Sequence, residues 1–272
     1  MVSHHHTMAS RRASSVESFK VMDVLQRANE LQAAGHKVLH CEVGQPETGA
    51  PEPVAKAAVS ALLEPRVMGY TDAFGLLALR EKISEHYQTF YGLSAEQVPT
   101  HRIVVTTGSS GGFLLAFTAC FDVGDSIAIA SSGYPCYRNI LGALGCKMDS
   151  VPINEHFKLT AKELRQEIER RKHAGEDRLK GLIMSSPSNP TGAMLTSEEL
   201  KEICELCEHE GIQFLSDEIY HGITYGTHEA TALQFSSKAV IINSFSKYYS
   251  STYRFPKKTT DALLYVLYPM SF

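Results

Sequence analysis

The chain has no run approaching the ~18 consecutive apolar residues of a membrane-crossing helix, and its N-terminus lacks the apolar stretch of a secretory signal. These absences exclude a membrane partner and the secretory route from the expectations. Positive charge is scarce as well. The 26 Lys and Arg stand against 30 Asp and Glu, for a net charge of −4, and no basic stripe interleaves with aromatics. Nucleic acid is therefore not an expected partner. Cysteines are few, six in 272 residues, and a chain of this size needs no disulfide staples, so a reduced compartment, the cytosol, is the expected location. Repeats, low-complexity tracts and an obvious linker are missing too. Residues 1–16 contain no acid and include Arg11, Arg12 and several serines, a faint likeness to an organellar transit peptide set against the reading of residues 1–18 as a disordered leader.

What is present suffices for one large core, since 43% of the residues are hydrophobic. Apolar runs at Arg102 to Thr106, Ser126 to Ala130, Gly181 to Met184, Ile212 to Ser216 and Ala239 to Asn243 predict buried strands. Amphipathic stretches predict helices over Val21 to Ala34, Gly75 to Tyr91, Gly112 to Asp122, Thr160 to Ala174 and Thr196 to Glu210, the last opened by a capping box, Thr196-Ser-Glu-Glu199. Alternation of this kind predicts an α/β fold, a mainly parallel sheet flanked by helices. The expected layout is an N-terminal segment over 19–48, a large domain over 49–250 and a divergent tail over 251–272. Cys204-Glu-Leu-Cys207 with His209 has the look of half a zinc site, but no second ligand pair stands at a suitable spacing. Leu200, Ile203, Cys204 and Cys207 repeat at helical intervals instead and predict a buried helix face.

Four short motifs each follow a predicted strand: Thr107-Gly108-Ser109-Ser110-Gly111, Asn189-Pro190-Thr191-Gly192, Asp217-Glu218-Ile219-Tyr220 and Ser244-Phe245-Ser246-Lys247. In parallel sheets ligands bind beyond the carboxyl ends of the strands, where loops and helix N-termini converge. The four together hold the groups that pyridoxal phosphate requires. Lys247 supplies an amine that can form a Schiff base with an aldehyde once its charge is suppressed. Asp217 ends an apolar strand, where a carboxylate calls for a cation such as a protonated pyridine nitrogen, although a helix N-cap is an equally simple use for it. Tyr220 and Asn189 can reach the ring oxygen from two sides. Backbone N–H groups at Gly108 to Gly112, with the hydroxyls of Ser109, Ser110, Ser244 and Ser246, can hold a phosphate dianion. Tyr134 or Tyr137 can stack on the ring. No arrangement in the chain is read as a Ser-His-Asp triad or a metal site.

These residues resemble the class I/II aminotransferases, fold type I enzymes dependent on pyridoxal 5′-phosphate, over about Phe19 to Ser250. The resemblance implies that Lys247 is the Schiff-base lysine and proton shuttle, and that Asp217 partners the pyridinium. It makes Asn189 and Tyr220 the ring-oxygen partners, Ser109, Ser110, Ser244 and Ser246 the phosphate ligands, and Tyr134 the stacking ring. Val43-Gly44-Gln45-Pro46 resembles the segment that closes over the substrate carboxylate, so Gly44 and Asn189 are expected beside substrate. Tyr70-Thr71, with Gly75 and Leu79-Arg80, resembles the region whose tyrosine reaches the phosphate of a partner subunit, which implies a homodimer. The implied reaction moves an amino group between an amino acid and a 2-oxo acid. A lyase or synthase of the same fold, and a non-catalytic truncated cofactor-binding product, are the alternatives. After Lys247 the family continues with Gly-x-Arg-x-Gly and a further strand; here Arg254 has neither glycine beside it. The family's C-terminal small domain, with its carboxylate-binding arginine, is expected to be missing. The apolar run Ala262 to Tyr268 is expected either to occupy a sheet edge or to aggregate.

Overall fold

Along the central strands successive residues face opposite cores, and that alternation organises the molecule. The structure is a computed structural model describing residues 10, 12, 16, 18, 20–44, 49–65, 69–249 and, as backbone, 263–267. The strands are β1 (Ile103–Thr107), β2 (Ser126–Ala130), β3 (Lys147–Val151), β4 (Leu179–Ser185), β5 (Gln213–Asp217), β6 (Val240–Ser244) and β7 (Leu263–Leu267). They form one seven-stranded sheet in the order β1-β7-β6-β5-β4-β2-β3. Strand β7 runs antiparallel to both neighbours, and every other pair is parallel. The main helices are α1 (Lys20–Ala33), α2 (Glu52–Leu63), α3 (Leu77–Tyr91), α4 (Ser109–Cys120), α5 (Pro135–Leu144), α6 (Ala161–Ala174) and α7 (Ser197–Glu210).

Phe214, Leu182, Ala128 and Ile241 join one core with Tyr87 of α3, Leu164 of α6 and Ile203 of α7. Their sequence neighbours Leu215, Ile183, Ile127 and Ile242 join the other, with Phe113 and Phe117 of α4 and Leu141 of α5. Period-two side-chain alternation thus loads both faces of a sheet covered on both sides, which is why the strands read as unbroken apolar runs. Cys204 and Cys207 lie in the first core, so the helix-face reading of that pair agrees with the structure.

The helix ends follow their caps. Thr196 accepts from the Glu199 N–H at 3.1 Å while the Glu199 carboxylate accepts from the Thr196 N–H at 2.8 Å, and Thr160 and Glu163 repeat the device on α6. Three elements escaped the sequence reading. The edge strand β3, Lys-Met-Asp-Ser-Val, is half solvated and carries no apolar run; α5 opens on a proline; α2 has no buried residue. Helix α4 begins at Ser109 rather than Gly112, which puts both serines in its first turn. Gly108 makes that start possible with φ +91° on the strand-to-helix corner, a conformation that L side chains avoid.

Within the apolar run, Leu263–Leu267 does not take a sheet edge. It lies inside the sheet, with Tyr265 opposite Val105 on one side and Asn243 on the other. The physical reason is that β1 and β6 run parallel with their ladders facing each other across one strand width, and a reversed strand can pair with both. A proline in a strand paired on both sides removes a ladder hydrogen bond wherever it falls. Tyr265→Pro is therefore expected to destabilise the protein by at least about 2 kcal/mol, read as a lowered urea midpoint, and Tyr265→Val, which keeps the backbone N–H, to lower the midpoint less.

Candidate functional site

The ends of β1, β4, β5 and β6 carry the four motifs onto one side of the sheet, as the parallel topology requires. Asp217 is the last residue of β5 and is 2% exposed. The Ile219 N–H donates to its Oδ1 at 3.3 Å, and the hydroxyl of Tyr137 donates to its Oδ2. It makes no ion pair among the described residues. Burial pushes its carboxyl up to about 7, against the lowering effects of Tyr137 and, more weakly, of Lys247. A carboxylate held at this depth is an anion in want of a cation.

Lys247 follows β6 and is half-buried. Its Nζ lies 5.5 Å from the centre of the Tyr220 ring and donates to the Gly44 carbonyl at 3.2 Å. Burial lowers the pKa of the amine, with Asp217 pulling the other way, so the neutral nucleophile is reached at lower pH than for a solvated lysine. Asn189 Nδ2 donates to the Tyr220 hydroxyl at 3.1 Å, which joins two motifs that lie 31 residues apart. Tyr134 stands edge-on to Tyr137 at 5.6 Å, and burial pushes its phenol up to about 12, helped by Cys136, Tyr220 and Asp217. Ser244 and Ser246 face each other through their hydroxyls at 2.5 Å.

Not every expected residue joins this cluster. Tyr70 is fully exposed on this single chain. Ser109 and Ser110 open α4, and the Ser110 hydroxyl meets the Cys136 thiol at 3.6 Å. Gln45, Pro46 and Arg254 lie outside the described residues. Tyr137, read as an alternative stacking ring, is instead buried beneath the site as the partner of Asp217. Cys136 was not anticipated, and an isolated cysteine two residues from a candidate tyrosine gave no signal.

Two spacings qualify the exclusion of other chemistries. Gly108-Ser109-Ser110-Gly111-Gly112 also fits Gly-x-Ser-x-Gly on a strand-to-helix corner, but Ser110 has no histidine partner among the described residues. His36 and His40 stand four apart, yet His40 is occupied by Glu42 at 2.7 Å and Gln32 at 3.2 Å. Among the described residues no three His, Cys, Asp or Glu could hold a metal ion, and no helix is long and apolar enough to cross a membrane.

A profile described as aminotransferase class I and II matches residues 36–253. The chain belongs to this family. A valine–pyruvate aminotransferase of Mycobacterium tuberculosis is 44% identical over 243 residues, covering 88% of this chain and 60% of the relative. An aspartate aminotransferase of Geobacillus stearothermophilus is 32% identical, over 89% of this chain and 61% of the relative. Among solved structures, an aminotransferase from Mycobacterium tuberculosis superposes with a TM-score of 0.85 at 42% identity, covering 96% of this chain and 63% of that one. The chain thus spans about 60% of the length of the curated relatives it matches.

The buried Asp217 yields a sign-definite expectation. Its folded pKa lies above the unfolded value, so the native state holds the proton more tightly between about pH 4 and about pH 7 and loses stability as pH rises through that window. Asp217→Asn removes this dependence. Urea denaturation at pH 5 and pH 8 is expected to show the wild type losing up to roughly 2.5 kcal/mol relative to the variant on going to the higher pH. Equal slopes for the two proteins would refute the assignment.

Proposed function

We propose that this chain carries the cofactor-binding domain of a pyridoxal 5′-phosphate-dependent aminotransferase that moves an amino group between an amino acid and a 2-oxo acid in the cytosol. The observation that carries the reading is the pairing of opposites at one place. Asp217 is a buried acid with no ion pair among the described residues, Lys247 is an amine whose pKa is lowered by burial, and Asn189, Tyr220 and Tyr134 gather beside them. A pyridine nitrogen that carries a proton supplies what Asp217 lacks, so the residues fit the cofactor.

Bound there, the cofactor supplies an electron sink for the carbon that bears the amino group. Asp217 would hold the proton on the ring nitrogen, with Tyr137 fixing the carboxylate from beneath. Asn189 and Tyr220 would donate to the ring oxygen, and Tyr134 would cover the ring face. Ser109, Ser110, Ser244 and Ser246, with the open N–H groups at the start of α4, would hold the phosphate. Lys247 would hold the aldehyde carbon of the cofactor and carry a proton on Nζ. Gly44 would release its carbonyl from Lys247 and, with Asn189, border the substrate.

The test is a visible spectrum of the purified chain with pyridoxal 5′-phosphate, beside Lys247→Ala. The expected outcome is an absorption band that needs Lys247 and bleaches when amino acids are added. A band of equal size in Lys247→Ala sinks the lysine assignment. A Lys247-dependent band that no amino acid bleaches leaves cofactor binding without transfer.

A homodimer belongs to the same proposal. Leu114 and Leu115 on α4, Leu76 and Leu77 at the start of α3, and Tyr70 are exposed beside or upstream of the phosphate cradle. Burying apolar surface of this kind is worth about 25 cal/mol per Å². Cofactor affinity is expected to rise with protein concentration, and Leu115→Arg to abolish that rise while the circular dichroism spectrum stays unchanged. Affinity independent of concentration in the wild type counts against a shared site.

A further inference from the structure

On the face of the sheet opposite Tyr137 lies a second buried acid, one residue after Asp217. Glu218 is 1% exposed. Its Oε1 accepts three hydrogen bonds, from the Ser216 hydroxyl at 3.0 Å, the Thr231 hydroxyl at 3.2 Å and the Ala232 N–H at 3.0 Å. Its Oε2 has no hydrogen-bond partner among the described residues, and Nδ1 of His221 lies 3.7 Å from it. His221 is buried in turn. Its Nε2 meets the Ser186 carbonyl at 2.9 Å, and because a carbonyl only accepts, Nε2 carries a hydrogen. Its Nδ1 meets the Tyr91 hydroxyl at 2.6 Å.

This arrangement leaves one proton to place. With Nε2 protonated and Nδ1 bare, the ring is neutral, the Tyr91 hydroxyl donates to Nδ1, and Glu218 Oε2 is left as an uncompensated buried charge 3.7 Å away; one further proton on Oε2 neutralises that charge, and one on Nδ1 pairs it. Among the described residues the groups around the pair are His86 and Tyr91 from α3, Cys204 from α7, and the acids Asp217 and Glu229. None of these brings a fixed positive charge.

Where His221 points also matters. Ser186 is held at three atoms: its N–H donates to the Asp217 carbonyl at 3.2 Å, its hydroxyl accepts from the Leu195 N–H at 3.0 Å, and its carbonyl accepts from His221. Two residues on, the Ser188 N–H and carbonyl close the turn onto Ala193 and Gly192. That turn presents Asn189 to Tyr220.

We propose that Glu218 and His221 share one buried proton and together form a positioning pair, which anchors Ser186 and so sets Asn189 against Tyr220. The shared proton stands on this chain's own geometry. The positioning role rests on the cofactor-site reading given above.

Two measurements test the two halves. The first records ring-nitrogen NMR signals of His221 at pH 7 in the protein without cofactor, assigned with His221→Gln, in wild type and Glu218→Gln. The amide keeps an acceptor for the three donors and turns an N–H toward Nδ1. The wild type is expected to show a protonated or partly protonated Nδ1, and Glu218→Gln a neutral ring with hydrogen on Nε2. A Nδ1 signal unchanged by Glu218→Gln overturns the shared proton. Should that variant fail to fold, Glu218→Asp takes its place, and a Nδ1 signal that ignores withdrawal of the carboxylate has the same meaning.

The second measurement titrates pyridoxal 5′-phosphate and reads the Lys247-dependent band. His221→Gln is expected to weaken affinity about tenfold, as loss of an outer supporting partner does. Asn189→Ala should cost markedly less in the His221→Gln background than in wild type, because the two residues act in series. Additive losses overturn the positioning role. Absence of any Lys247-dependent band in wild type rejects the cofactor site and the positioning role together, while the ring-nitrogen signals still decide the shared proton.

Discussion

The double ladder made by β7 is the constraint on which the site depends. Among the described residues, strand β1 has no strand neighbour other than β7, and β6 meets β1 through it. The serines of α4 follow β1, and Lys247 follows β6. The ends of β1 and β6 are therefore two strand spacings apart, about 10 Å, fixed by five residue pairs on one side and four on the other. Segments that had to find each other through loops alone would lose this spacing to chain entropy.

Around that frame the protein places two consecutive acids on opposite faces of one strand end and treats them differently. Asp217 meets a phenol and a backbone N–H, with Lys247, Tyr220 and Tyr134 near it. Glu218 meets three donors on one oxygen and a histidine near the other. Alternation along a strand lets neighbouring residues serve a binding face and a supporting face at once. An acid on the binding face costs stability that a bound cation can recover, whereas one on the supporting face must be neutralised within the protein.

Much of this was legible along the chain. Five strands and five helices emerged within a few residues of their observed ends, because apolar runs and capping boxes are local signals. The cluster of Asp217, Tyr220, Asn189 and Lys247 was legible too, since each follows a strand and parallel strands end on one side. Less legible were β3, whose edge position leaves it polar, and α2, whose residues are not buried. The place of β7 could not be read at all, because an apolar run says that a segment wants burial and says nothing about which two strands leave a gap for it.

The sequence by itself determined the fold class, the family and the chemical kinds of group gathered at the strand ends, since period, caps and residue type are carried by neighbours in the chain. Only the tertiary structure decided that Tyr137 supports Asp217 from below rather than stacking, that Cys136 stands beside Ser110, and that His221 ties Glu218 to Ser186. Those pairings join residues from 26 to 80 positions apart, apart from the Glu218–His221 step itself. Which of two tyrosines three residues apart turns inward depends on the packing of α5 against the sheet, and no local pattern in Tyr134-Pro-Cys-Tyr137 encodes it.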